Sequence, residues 1–263
     1  MTSSQPRLNP REHGAYAMLA FPCLSGLVIG GLTPAGLAFT VASVTGFLAH
    51  ESTMILSGAR GARIQGSQEA PARRRLVTLG AMGLTSLILF AVLAPAAAYL
   101  PAAAAALLAG SVGVLLLLGW TKTLPGELLV AAAFASIHAV LASAGGSGPA
   151  ATVAPAAAWA GSFALATLSV HALKYRFKGR GPGRWTVVAA PLLAVLAAAG
   201  AAAGAAMGSG WTLWVAALAP KAVLVAALAV LTVHPRHLKR VGWSLVAADA
   251  LTLTLLVWAV RAG

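Results

Sequence analysis

The chain is a succession of apolar runs of about twenty residues, separated by short segments in which almost every charge is positive. A run of that length crosses the hydrocarbon core of a bilayer as a helix, and in lipid a helix satisfies its own backbone donors and acceptors. Turn and charge punctuation gives nine such runs: about 14–32, 35–57, 76–98, 101–120, 126–145, 151–173, 186–207, 211–233 and 241–260. Pro34, Pro101 and the "GGSGP" segment at 145–149 mark breaks between neighbours. Only 9% of the residues are charged, against about 25% in a soluble domain. Water therefore cannot be the solvent of this fold. The expected architecture is all-α, a polytopic transmembrane helical bundle of about nine spans forming one domain over residues 1–263.

The positions of the cations orient the bundle. Arg7 and Arg11 precede the first run; Arg60, Arg63, Arg73, Arg74 and Arg75 lie between the second and third; Lys122 follows the fourth. Lys174, Arg176, Lys178, Arg180 and Arg184 surround the sixth-to-seventh connection, and Arg236, Lys239 and Arg240 follow the eighth. With nine runs, all Lys and Arg except Lys221 and Arg261 fall on one side. Cytoplasmic segments carry such an excess, so the N-terminus is expected in the cytoplasm and the protein in a prokaryotic inner membrane, crossing it many times. The formal charge of +13 thus reads as topology. Nucleic-acid binding is not expected, because the basic segments lack aromatic interleaving beyond "KYRFK".

The lone Cys23 excludes an internal disulfide and a cysteine-rich metal site. Pro22 before it and Glu12-His13 upstream do not fit a cleaved signal, so the first run is expected to remain a membrane helix. Gly26 and Gly30, and likewise Gly200, Gly204 and Gly208, recur at intervals of four. Such a face lets another helix backbone approach closely, either inside the bundle or at a homodimer seam.

Ionisable groups in lipid are costly and mark candidate sites. Glu12 and His13 begin the first run, and His50 and Glu51 lie about two turns before the second ends. Glu127 opens the fifth, where it also complements the positive end of a helix dipole. His171 and Lys174 close the sixth on one helical face, as a snorkelling helix end would. All these lie towards the cytoplasmic side. His13, His50, Glu51, Glu127 and His171 are the candidate proton-transfer residues, since histidines and carboxylates exchange protons near neutral pH. Glu12, Lys174, Arg60, Arg63 and Arg176 are candidate contacts for an anionic substrate. His138, Lys221 and Asp249 lie deeper, about 13–16 Å from a membrane face at 1.5 Å per residue. Lys221 and Asp249 sit at similar depth on consecutive antiparallel runs, which predicts a buried ion pair.

Three functions follow from these residues. The first is a membrane enzyme or lipid-binding protein with a polar cavity on the cytoplasmic side. The nine-run plan resembles the UbiA-type intramembrane prenyltransferases, which hold Mg²⁺-diphosphate on aspartate-rich motifs in two loops. The corresponding segments here, "GARGARIQGSQEAPARRR" and "YRFKGRGPGR", contain no Asp and only Glu69, so no Mg²⁺ clamp is expected. The second is a transporter or permease with His138, Lys221 and Asp249 on a solute or proton route. The third is a haem or metal binder built from the histidines, although no HxxxH or HExxH spacing occurs. Membrane lipids are the expected partners; the residues name neither a cofactor nor an oligomeric state.

Three segments carry a family resemblance: "PREHGAYAMLAFP" at 10–22, "GFLAHESTMILSGARGAR" at 46–63 and "HLKRVGW" at 237–243. They resemble the YwiC-like family of bacterial integral membrane proteins. Tyr16 stands where tryptophan is usual in that family, and Ser52-Thr53 replace a proline-containing continuation. The resemblance implies a membrane protein and supplies no reaction. It places His13, His50 and Glu51 in the family-like segments, with His13 and Glu51 expected to line a common cavity on the first two spans.

Overall fold

The structure is a computed structural model that describes residues 8, 13–177, 216–230 and 237–262. Among these it is all-helical. The helices are α1 (His13–Gly30), α2 (Pro34–Leu56), α3 (Ala62–Leu93), α4 (Tyr99–Leu117), α5 (Leu124–Ala144), α6 (Pro149–Phe177), α7 (Ala219–Val230) and α8 (Leu238–Ala262), with a 3₁₀ turn at Ala96–Ala98. Five of them are long and apolar enough to cross a membrane by length and composition, namely α3, α4 with its preceding 3₁₀ turn, α5, α6 and α8. Shorter apolar helices cover Gly14–Gly30 and Ala219–Leu228. The run expected at 186–207, with Gly200, Gly204 and Gly208, lies outside the described residues.

Local chemistry explains the helix starts. Thr33 caps α2, its hydroxyl accepting from the Gly36 N–H at 3.1 Å, and Pro34 supplies a preset φ at the first helical position. Thr123 and Pro125 repeat the device on α5, the Thr123 hydroxyl accepting from Gly126 N–H. The third run departs from expectation at its start. The helix begins at Ala62, so most of the basic connection is helical and carries Arg63 and Arg73–Arg75. Its Ala, Gln and Arg residues favour helix, and Glu69 pairs with Arg73 one turn on at 2.8 Å. The turn itself is confined to 57–61, where Gly58 and Gly61 adopt φ of 76° and 91°. The break between α3 and α4 falls at Pro95 rather than Pro101. Pro101 sits in the first turn of α4, where its missing N–H has no helical partner to lose.

Helix α5 is central, packing against α1, α4 and α6 and touching α2. Helix α1 approaches α5 closely. A methyl built on Gly26 would meet the Leu141 Cβ at 2.6 Å, and one on Gly30 would meet the Leu141 carbonyl oxygen at 2.7 Å. The Gly26/Gly30 face is therefore used inside the bundle. At that end Thr33 Oγ1 donates to Ala144 O and Ser147 Oγ to Ile29 O. The last turns of α1 and α5 thus lie side by side, and the two helices run parallel. Aromatic stacking fills the adjoining core: Trp159 of α6 lies between Phe21 and Phe163, with ring centroids 5.8 and 5.6 Å away. Leu173, Leu228, Val241 and Leu245 join α6, α7 and α8 at the opposite end.

Candidate functional site

Four polar arrangements hold the candidate residues. At the α2–α3 corner Glu51 is buried while Arg60 remains one-third exposed. Arg60 Nε donates to Glu51 Oε1 at 2.9 Å, and Nη2 donates to Oε2, a bidentate pair of the kind guanidinium and carboxylate prefer. Both Glu51 oxygens are thereby occupied, so Glu51 fixes Arg60 in place. Gln65 braces the same corner by donating to the Leu56 carbonyl at 3.0 Å. The neighbouring Ser52 hydroxyl is buried and has no hydrogen-bond partner among the described residues.

Helices α5 and α6 bring Glu127 and His171 together, His171 Nε2 to Glu127 Oε2 at 2.9 Å. Their side chains keep 27% and 14% exposure. Glu127 sits in the first turn of α5, at the positive end of the helix dipole, which favours a carboxylate there. The contact leaves Nδ1 of His171 as the second proton-exchanging nitrogen of the ring.

His138 is fully buried and its bonding selects one tautomer. Nε2 lies 3.1 Å from the Ala151 carbonyl, which can only accept, so Nε2 carries the proton. Nδ1 then accepts from Ser25 Oγ at 2.8 Å, while Trp159 Nε1–H donates to the same oxygen at 2.8 Å. The chain Trp159–Ser25–His138–Ala151 ties α1, α5 and α6 with its donors and acceptors matched. Ser25 and Trp159 escape sequence reasoning, because a lone serine and tryptophan in apolar runs read as helix surface and interface.

The pair expected between Lys221 and Asp249 is present. Lys221 Nζ lies 2.8 Å from Asp249 Oδ1 and donates to the Leu245 carbonyl at 2.7 Å. Ser162 Oγ of α6 donates to the same carboxylate oxygen at 2.7 Å. Both charged side chains are buried. Thr252, one turn beyond Asp249, has a buried hydroxyl with no partner among the described residues. Nothing in the sequence pointed to Ser162 or Thr252.

A family model described as YwiC-like protein matches residues 9–143. The chain belongs to the YwiC-like family. No curated protein and no solved structure matches it, and a UbiA-type relationship receives no support. The YwiC-like match covers α1 to α5, and so contains Glu51–Arg60, Ser25–His138 and Glu127. His171, Trp159, Lys221 and Asp249 lie beyond it, as does the similar segment at 237–243. Family membership and the apolar helices together make this a membrane protein.

The remaining expected residues fall as follows in this YwiC-like chain. His50 lies on α2 and Arg63 on the exposed first turn of α3. Glu12 and the side chains of His13, Lys174 and Arg176 lie outside the description, as do Arg7, Arg11, His234 and Arg236. A His13–Glu51 cavity therefore has one undescribed wall. Among the described residues no three His, Cys, Asp or Glu side chains gather as a metal site.

Proposed function

We propose that the protein is a nine-span inner-membrane protein, N-terminus in the cytoplasm, that binds an anionic amphiphile at the cytoplasmic face and acts on its headgroup. The observation that carries this reading is the Glu127–His171 pair: an acid and a base in direct contact, each keeping part of its surface accessible. The Glu127 carboxylate orients the imidazole through Nε2, and His171 Nδ1 takes a proton from a headgroup hydroxyl or water. Arg60, fixed by Glu51, meets the anionic group together with Arg63, Lys174 and Arg176. His50 on α2 belongs to the rim of this site.

The test uses full-length protein in anionic proteoliposomes, with lipid products followed by mass spectrometry. Glu127→Gln and His171→Gln should each slow turnover about 100-fold, the lower range for a positioned acid–base group, while the lipids retained on purification stay the same. Equal turnover in wild type and both variants defeats the reading.

A second reading, a transporter, draws on the buried Lys221–Asp249 pair, since intramembrane ion pairs line solute and proton routes. Flux in the same proteoliposomes without chemical conversion favours it.

A further inference from the structure

Helix α6 carries Pro155 in its interior. Proline has no N–H, so the Ala151 carbonyl, one turn earlier, loses the donor that an ordinary helix gives it. In lipid a carbonyl freed in this way takes its donor from a neighbouring helix. His138 of α5 supplies that donor, Nε2–H to Ala151 O at 3.1 Å. The histidine replaces a backbone hydrogen bond that α6 cannot form.

The bonding continues beyond the histidine. His138 Nδ1 accepts from Ser25 Oγ of α1, and Trp159 Nε1–H of α6 donates to that oxygen, both at 2.8 Å. The Pro22 carbonyl, 3.2 Å from Ser25 Oγ, is the longer alternative for the single hydroxyl hydrogen. Ala151 and Trp159 lie one turn before and one turn after Pro155. Side chains of α5 and α1 thus bridge α6 across the place where its own ladder is interrupted. Ser25, His138 and Trp159 are fully buried, so bulk water does not compete for these bonds.

The part of α6 beyond Pro155 ends near His171, about 24 Å along the helix axis. Proline is a common place for a helix to change direction, and on an arm of that length a change of ~10° moves the imidazole by ~4 Å. That is enough to part it from Glu127, now 2.9 Å away. Ser162 bonded to Asp249, and Leu173 clustered with Leu228, Val241 and Leu245, fasten the arm to α7 and α8 rather than to α5. Glu127 and His138 both belong to α5, so a bond from His138 across Pro155 fixes the arm relative to the helix that carries the acid.

We infer that His138 and Ser25 are positioning residues: they brace α6 across Pro155 and so hold His171 at Glu127. The consequence for chemistry rests on the proposed function; the brace does not depend on it.

The experiment measures, by electron paramagnetic resonance, the distance between nitroxide labels at Pro125→Cys and Ala172→Cys. It uses the full chain with Cys23→Ala in proteoliposomes. His138→Leu should shift or broaden the distance by roughly 4 Å, the displacement expected of the arm. Pro155→Ala returns an N–H to the Ala151 carbonyl. It should restore the original distance in the His138→Leu protein and leave it unchanged alone. Trp159→Phe keeps an aromatic ring between Phe21 and Phe163 and loses only the donor; it should give a smaller shift, and it tests the brace even where His138→Leu does not fold. An unaltered distance in either variant, or a shift that Pro155→Ala does not reverse, overturns the inference. In a protein that converts lipid, turnover should fall about 100-fold with His138→Leu and recover with Pro155→Ala. The expected shifts in a protein that converts no lipid leave the brace standing and remove the proposed function; conversion with unmoved distances does the reverse.

Discussion

Asp249 and Lys221 are each held by more than the other: Ser162 adds a donor to the carboxylate, and the Leu245 carbonyl takes a second ammonium hydrogen. Removing one partner leaves the other charge buried and unmatched, whereas removing both leaves neutral groups. Asp249→Asn and Lys221→Met should therefore each cost about 3–5 kcal/mol, with the double variant less damaged than the sum. Thermal unfolding in detergent reads this, and a double variant as unstable as the added singles would show that the two act separately. Residue-scale legibility was uneven. Apparent depth on antiparallel runs placed Lys221 against Asp249 from sequence alone. The same reasoning could not find Arg60 as the partner of Glu51, because that pairing depends on how the chain turns at Gly58 and Gly61. It could not distinguish His138, consumed by Ser25 and Ala151, from His171, which keeps part of its surface accessible beside Glu127. Depth is one coordinate; azimuth around the helix and the identity of the neighbour supply the rest.

Among the helices, α1 and α5 are the pair most dependent on small residues. Gly145 follows α5 and lies so close to Gly30 that a Cβ there would overlap the Gly30 carbonyl. Gly145→Ala and Gly30→Leu should each force the helices apart and lower the melting temperature markedly, while Gly14→Ala, in open space, should change it little. A Gly30→Leu protein that melts like wild type would mean that this crossing carries little of the stability. Four-residue spacing announced a close approach but not its target. The α3 start differs for a related reason: clustered arginines do not end a helix, and this helix begins ahead of them at Ala62.

For the whole molecule, the contacts at each end agree with alternating helix directions. The 29–33 and 144–147 segments adjoin at one end, and Glu127 meets His171 towards the other. Arg60, Arg63, Arg73, Arg74, Arg75, Lys122, Lys239 and Arg240 belong to that second end. In a Cys23→Ala background, a membrane-impermeant thiol reagent added to intact cells should modify Ala150→Cys and spare Gly66→Cys. The opposite pattern would invert the proposed orientation. The amino-acid sequence by itself determined the solvent and the helical class, because hydropathy acts through local length and composition. Only the tertiary structure decided which polar groups neutralise one another, which remain open, and where α3 and α4 part. Those outcomes depend on contacts between segments as far apart as Ser25 and Trp159, and no local pattern encodes them.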